Sequence, residues 1–234
     1  MSEKRKEVEM LMLPEKLMLL ALHDEKGAVV FSSSTALPFA LAGGVLLELF
    51  FRKKITMADN KVRFLDAKNT GELVLDRTLR LMQESARPRD VKHWVTRIRR
   101  SMKNLKKEII RSLVRKGILK QEVRRILWVF KLHRYPARDR VPEMEIRQHI
   151  RNVVLHGHPP TEEDVALLSL INACNLVGEV FPKNERKQAK QRLKELTRDE
   201  AIGKAVSAAV AEMTAAVSAA VAVNMAVTAG AGSR

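Results

Sequence analysis

Cysteine is almost missing from this sequence, since Cys174 stands alone. An internal disulfide is therefore excluded, and no thiolate zinc cluster can assemble. A lone thiol fits a reducing compartment, and its ordinary place is the core, where it acts as a small hydrophobe. Aromatic residues are also scarce, at 4% of the chain. Leu, Val, Ile, Met and Ala must do the packing, a balance that favours helices over a β-sandwich. Acid is the third deficit. Asp plus Glu number 27 against 43 Lys plus Arg, for a formal charge of +16, and so basic a chain points to a polyanionic partner, nucleic acid or an anionic membrane leaflet.

Long uninterrupted apolar runs are few. The stretch LMLPEKLMLLAL at 11–22 is short and carries Pro14, Glu15 and Lys16, so it reads as a core helix, not as a signal peptide or span. Residues 213–232 carry no charge, but Ala, Ser, Thr, Asn and Gly dominate them. Such segments insert poorly, and a packed C-terminal helix with a frayed end is expected.

Catalytic signatures are missing as well. The sequence has no P-loop, dinucleotide fingerprint, Gly-x-Ser-x-Gly elbow or His-Glu-x-x-His pattern. His156-Gly157-His158 offers two metal ligands without a third and reads as a turn before Pro159 and Pro160. Glu162 and Glu163 read as first-turn acids after the cap Thr161. Nothing assembles an acid–base pair or an activated nucleophile. No enzyme activity, metal or cofactor is expected.

What is present is a succession of helix signals with little strand. Pro14 suits a first helical turn, Gly27 a turn, and residues 28–31 a short strand. Thr35 is placed to cap a helix over 37–53 that is apolar almost throughout, with Gly43 and Gly44 implying close packing. Alternation of Ile55 and Met57, then Val62 and Phe64, about Asp59-Asn60 predicts a β-hairpin. Thr70 is expected to cap a helix to Gln83. A helix, or two joined helices, follows over 90–116, with Gly117 as its left-handed stop. Residues 123–135 read as extended, and helices are expected over 143–155, 162–176, 184–196 and 199–227. The expected fold is mainly α, a compact single-domain helical bundle with a short β-hairpin. The domain occupies 10–227, between flexible segments at 1–9 and 228–234.

Charge concentrates in one place. Between Arg97 and Arg125 stand twelve Lys and Arg against two acids, Glu108 and Glu122. Ile98, Met102, Leu105, Ile109 and Leu113 recur at intervals of three and four and form one buried face. Arg99, Lys103, Lys106 and Lys107 then fall opposite as a cationic stripe. Like charges at this spacing repel, so an anion against the stripe explains it better than a merely solvated face. Lysines would hold phosphate as point charges, and arginines add bidentate contacts.

Five segments in order, LMLPEKLMLLALHDEKGAV, GGVLLELFFRKKI, TGELVLDRTL, IIRSLVRKGIL and HPPTEEDVALLSLINACNLVGEVFP, resemble the Golgi phosphoprotein 3 family, especially its shorter bacterial-type members. They cover the chain from about residue 10 to about residue 200. The resemblance implies a non-catalytic, mostly helical peripheral membrane protein. Eukaryotic members bind phosphatidylinositol 4-phosphate and the cytosolic tails of Golgi glycosyltransferases. It implies a cytoplasmic protein at the Golgi in a eukaryote, or at the inner face of the plasma membrane in a bacterium. Two family arginines three apart match Lys103 and Lys106, which keeps the charge without the planar fork. A family tryptophan and arginine are replaced by Ser32 or Ser33 and by Ala42.

Binding of anionic headgroups through Arg99, Lys103, Lys106 and Lys107 is the first expectation, with Leu37 and Phe39 as candidate membrane contacts. The alternative is nucleic acid, because a helix ending in Lys116-Gly117-Ile118-Leu119 before an extended ILWVFKLHRYP segment resembles a winged helix. A scaffold for acidic peptides or membrane-protein tails is compatible with the first. A basic stripe sharing a face with the 32–42 loop favours a membrane, and one flanked by the 128–135 ribbon favours nucleic acid.

Overall fold

A computed structural model describes residues 11–23, 27–30, 33–59, 61–102, 104–126, 130–196 and 204–231, with backbone alone at 124–126, 130–132, 204–207 and 228–231. The segments expected to be flexible, 1–9 and the end of 228–234, lie outside these residues, while regular helix continues to Ala231.

Helix α1 (Leu13–Ala21) begins on a pair of carboxylates. Met12 N–H donates to Glu15 Oε2 at 2.9 Å, and Leu13 N–H donates to Glu48 Oε2 at 2.8 Å. These acceptors satisfy donors that a helix start leaves open. Glu15 is completely buried, and the Lys116 ammonium, 2.7 Å away, compensates its charge.

Helix α2 (Leu37–Phe51) is apolar on every side because it is surrounded on most of them. Around it pack α1, α4 (Val91–Ser101), α5 (Leu105–Arg115), α7 (Glu162–Ala173) and α10 (Lys204–Ala231). Gly43 and Gly44 make this possible. A Cβ on Gly43 would stand 2.6 Å from Val217 Cγ2 of α10, and one on Gly44 would stand 3.5 Å from Leu170 and Pro14.

The expected hairpin forms β1 (Ile55–Ala58) and β2 (Lys61–Phe64), antiparallel, with Ile55 opposite Phe64 and Ala58 opposite Lys61. Ile55 and Val62 turn into the core, and Val62 also bridges Arg89. Helix α3 (Leu73–Gln83) starts later than expected. Thr70 does not cap it; its N–H and hydroxyl both donate to Asp76 Oδ1 at 2.7 Å, and Glu72 takes the cap position. The strand expected at 28–31 reduces, within the described residues, to one bridge between Leu22 and Val29.

The long basic segment is two helices, α4 and α5, broken at Met102, whose φ of −108° and ψ of 65° leave the helical region. The apolar stripe survives the break, since Ile98, Met102, Leu105, Ile109 and Leu113 are all buried. Gly117, at φ 75°, is the left-handed stop. A second antiparallel pair follows, β3 (Glu122–Ile126) with β4 (Phe130–Arg134). Then come α6 (Val141–Leu155), α7, the single turn α8 (Val177–Val180), α9 (Arg186–Leu196) and α10. Thr161 and Asp164 form a reciprocal capping box at the start of α7. Cys174 is fully buried, and burial pushes its thiol up to about 12.

Candidate functional site

The start of α2, the end of α4 and the start of α5 meet at one end of the bundle. A tight turn joins the last two, with Met102 N–H donating to Ile98 O and Leu105 N–H to Met102 O, both at 2.8 Å. The link to α2 is the Arg99 guanidinium, whose carbon lies 4.5 Å from the Phe39 ring centroid. Arg99 Nε–H is shielded from water and finds no acceptor among the described residues. Lys106 and Lys107 are exposed on the first turn of α5. Burial of part of its surroundings nevertheless lowers the pKa of Lys106. Lys103, the other expected member of the stripe, lies outside the described residues.

Backbone charge adds to this end. Neither Ala36 at the start of α2 nor Asn104 at the start of α5 makes a side-chain cap bond. Thr35 therefore does not play its expected part. Two helices direct positive dipole ends toward the region that holds Arg99, Lys106 and Lys107, although Pro38 offers no N–H and the Phe39 and Leu105 N–H groups already donate to Ala36 O and Met102 O.

Several cations elsewhere are ion-paired, while others among the described residues, such as Arg111, Arg115 and Lys190, are not. Lys116 is bound to Glu15 and Glu72, Arg77 to Glu108, Lys54 to Asp66, Arg147 to Glu143 and Arg151 to Glu185. No carboxylate of the described residues lies within ion-pair distance of Arg99, Arg100, Lys106 or Lys107. Cations left unpaired beside uncapped helix starts can hold phosphate oxygens.

Two expected contacts are corrected. Leu37 and Phe39 are only 1% and 4% exposed, so neither offers a surface to lipid. Leu37 belongs to the core, and the Phe39 ring supports Arg99. The positions expected to match the family's tryptophan and arginine are equally unavailable. Ala42 is buried within α2, and Ser33 is buried with its hydroxyl donating to Val30 O at 3.0 Å. Ser32 lies outside the described residues.

Sequence reasoning passed over one basic surface. Asp90, Lys92, His93, Thr96, Arg97 and Arg100 line an open groove of about 520 Å³ along the outer side of α4. Burial, then the charges of Arg89 and Arg97, lower the His93 pKa against the opposing charge of Asp90. The signal was the spacing of three and four from Asp90 through His93 and Arg97 to Arg100. At the His156-Gly157-His158 turn, Gly157 has a φ of 72°. Among the described residues no group of three or more His, Cys, Asp or Glu is placed to hold a metal.

The sequence model of the family Golgi phosphoprotein 3 (GPP34) matches residues 13–213. Two fungal proteins, both called vacuolar protein sorting-associated protein 74, are similar over part of their length. The one from Eremothecium gossypii is 26% identical over 166 residues, 62% of this chain and 49% of the relative. The one from Schizosaccharomyces pombe is 28% identical over 165 residues, 62% of this chain and 48% of the relative. The chain thus spans about half the length of the curated relatives it matches. These fungal relatives give no support to the bacterial-type expectation. A family match that runs from α1 into α10, over more than half of the chain, places the chain in the Golgi phosphoprotein 3 (GPP34) family.

Proposed function

We propose that this chain is a non-catalytic peripheral membrane protein whose cationic bundle end binds anionic phospholipid headgroups on the cytoplasmic face of a membrane, with the Golgi as the family's compartment. The Arg99–Phe39 contact carries this reading, because it brings one cation of the stripe against the start of α2. A basic stripe that adjoins the start of α2 supports a membrane surface over nucleic acid. Arg99, Arg100, Lys106 and Lys107, with Lys103 by its sequence position, supply the cations. At roughly 1 kcal/mol for each Lys or Arg near an anionic surface, four or five hold the protein reversibly.

Recognition on this reading follows charge density more than headgroup identity. Two of the family's pocket residues have no counterpart here, and the lysines replacing arginines lack the bidentate fork. Phosphatidylinositol 4-phosphate is favoured through its extra phosphate charge. Once on the membrane, the chain acts as an adaptor for the cytosolic tails of membrane proteins.

Vesicle co-sedimentation tests this, using phosphatidylcholine alone, with phosphatidylserine, and with phosphatidylinositol 4-phosphate. Both anionic sets are expected to pull the protein down, and Arg99→Ala/Lys106→Ala is expected to weaken this by about thirtyfold, from roughly 1 kcal/mol per cation. Failure to bind anionic vesicles, or loss of binding to a small amount of duplex DNA, would overturn the membrane reading in favour of nucleic acid.

A further inference from the structure

The cationic end is also the end toward which α10 travels. Helices α2 and α4 run antiparallel, since Arg99 reaches Phe39 at one end while Arg89, just before α4, bridges Val62 of the hairpin that follows α2. Glu212 of α10 lies within electrostatic reach of Asp90, the cap of α4. Five residues on, Val217 meets Gly43 in the middle of α2. From Glu212 to Val217, then, α10 moves from the hairpin end toward the cationic end. At about 5.4 Å per turn the next two turns carry it past the start of α2. Exposure follows that path. Met213, Val217 and Ala220 are buried, whereas Val223, Met225 and Val227 are 54%, 55% and 67% exposed.

The projecting part has an unusual chemistry. Residues 213–233 contain no Asp, Glu, Lys or Arg, and Ala208–Val227 has a mean hydropathy of 1.6 over a length that could cross a membrane. Its exposed apolar side chains do not form a stripe. Val223 and Val227 share one face, and Met225 lies roughly 200° around the helix from each, at 3.6 residues per turn. A second copy or a groove in another protein covers one face of a helix. From Val221 to Ala231 only Asn224 and Thr228 interrupt the uncharged sequence with polar groups, and apolar side chains on opposite sides of a helix match a surrounding medium better than a single groove.

We propose that the last turns of α10, from Val221 to Ala231, enter the acyl layer of the bilayer whose phosphates the cationic end holds. This rests on the lipid-surface reading above. The segment is about 16 Å long at 1.5 Å per residue, roughly half of a ~30 Å hydrocarbon core, so it reaches into one leaflet and does not span. Its Ala-rich composition makes insertion weak unaided. The cations at its root supply the second attachment that stable, reversible anchoring requires.

The test uses Val227→Cys labelled with an environment-sensitive fluorophore under native conditions, where buried Cys174 stays unreacted. Phosphatidylserine-containing vesicles are expected to shift its emission to the blue, and a quencher on the acyl chain is expected to act more strongly than one on the headgroup. Val223→Glu/Val227→Glu is expected to weaken co-sedimentation tenfold or more, given the cost of charge in hydrocarbon, with thermal stability unchanged because both sites are exposed. Normal co-sedimentation without an emission change overturns the insertion and leaves headgroup binding intact. Absence of co-sedimentation overturns both. A blue shift without vesicles that grows with protein concentration and disappears in Val223→Glu assigns the helix end to a second copy and overturns the insertion.

Discussion

The Arg99 guanidinium and the Phe39 ring form a cation–π pair, 4.5 Å from carbon to centroid, at the junction of α2 and α4. The ring nearest the cationic end thus serves as a floor for a charge, and this separates two expectations sharply. Phe39→Ala should cost about 3–5 kcal/mol of stability, as large-to-small core changes do. Phe39→Leu should cost less than about 1.5 kcal/mol and leave the fold intact. It frees Arg99 from its platform, which is worth about 0.5–1 kcal/mol at a site of this kind, and should weaken vesicle binding slightly. Arg99→Ala should weaken it more. Urea unfolding and co-sedimentation check the order; a ring that touched lipid would give lost binding without lost stability.

Gly43 and Gly44 are neighbours with opposite tolerances. A Cβ at Gly43 would meet Val217 Cγ2 at 2.6 Å, too close for a stiff β-branched partner to relieve cheaply, whereas at Gly44 it would find ordinary 3.5 Å contacts. Gly43→Ala should therefore destabilise by about 1–3 kcal/mol, as overpacking does. Gly44→Ala should be neutral or stabilise by up to about 1 kcal/mol through helix propensity. Adding Val217→Ala to Gly43→Ala should relieve the clash, so that the pair of changes costs less than the sum of its parts. Thermal denaturation of the four variants reads this directly.

Asp164 ties the cap of α7 to α6. Its Oδ2 accepts from Thr161 N–H at 2.8 Å, and its Oδ1 meets His149 Nε2 at the same distance. Burial alone would raise its pKa, but the bonds from His149 and Thr161 outweigh this and hold it below the ordinary 3.8. A carboxylate with a depressed folded pKa stabilises above its unfolded pKa, and that stability is lost as pH falls through the folded value. Asp164→Asn should be about 1 kcal/mol less stable than wild type near neutral pH, the usual worth of a cap. The difference should shrink below pH ~4, where the unfolded carboxyl titrates. Urea midpoints across acidic pH would show the two converging.

Local signals were legible wherever they depended on neighbours in sequence. Alternation around Asp59-Asn60 was enough for the β1–β2 hairpin, and spacings of three and four through Leu113 were enough for the buried stripe of α4 and α5. What failed depended on distant partners. Leu37 and Phe39 looked available to lipid because nothing near residue 39 says that Arg99 will cover the ring. Lys116 and Lys106 are equally basic in the sequence, yet Glu15 neutralises one and no described carboxylate reaches the other. The uncharged tail read as a packed helix with a frayed end; packing holds as far as Ala220, and regular helix continues to Ala231. Where its neighbours end is a property of α2 and α4, not of the tail, and so the point at which exposure begins was illegible.

Lys106 gives the candidate site a pH signature of its own. Desolvation lowers the pKa of its ammonium below the ordinary 10.5, whereas a guanidinium is in general charged at any accessible pH. An anionic headgroup binds the protonated form, so affinity should fall as pH rises through the lowered pKa. Phosphatidylglycerol vesicles suit the measurement, because their charge does not change in that range. Wild type should lose about 1 kcal/mol, or about fivefold in affinity, from one cation near the surface. Lys106→Arg should bind evenly through the same range, and Lys106→Met should bind at the weakened level at every pH. A wild-type profile as flat as that of Lys106→Arg would remove Lys106 from the binding face, leaving Arg99, Arg100 and Lys107 to hold the lipid.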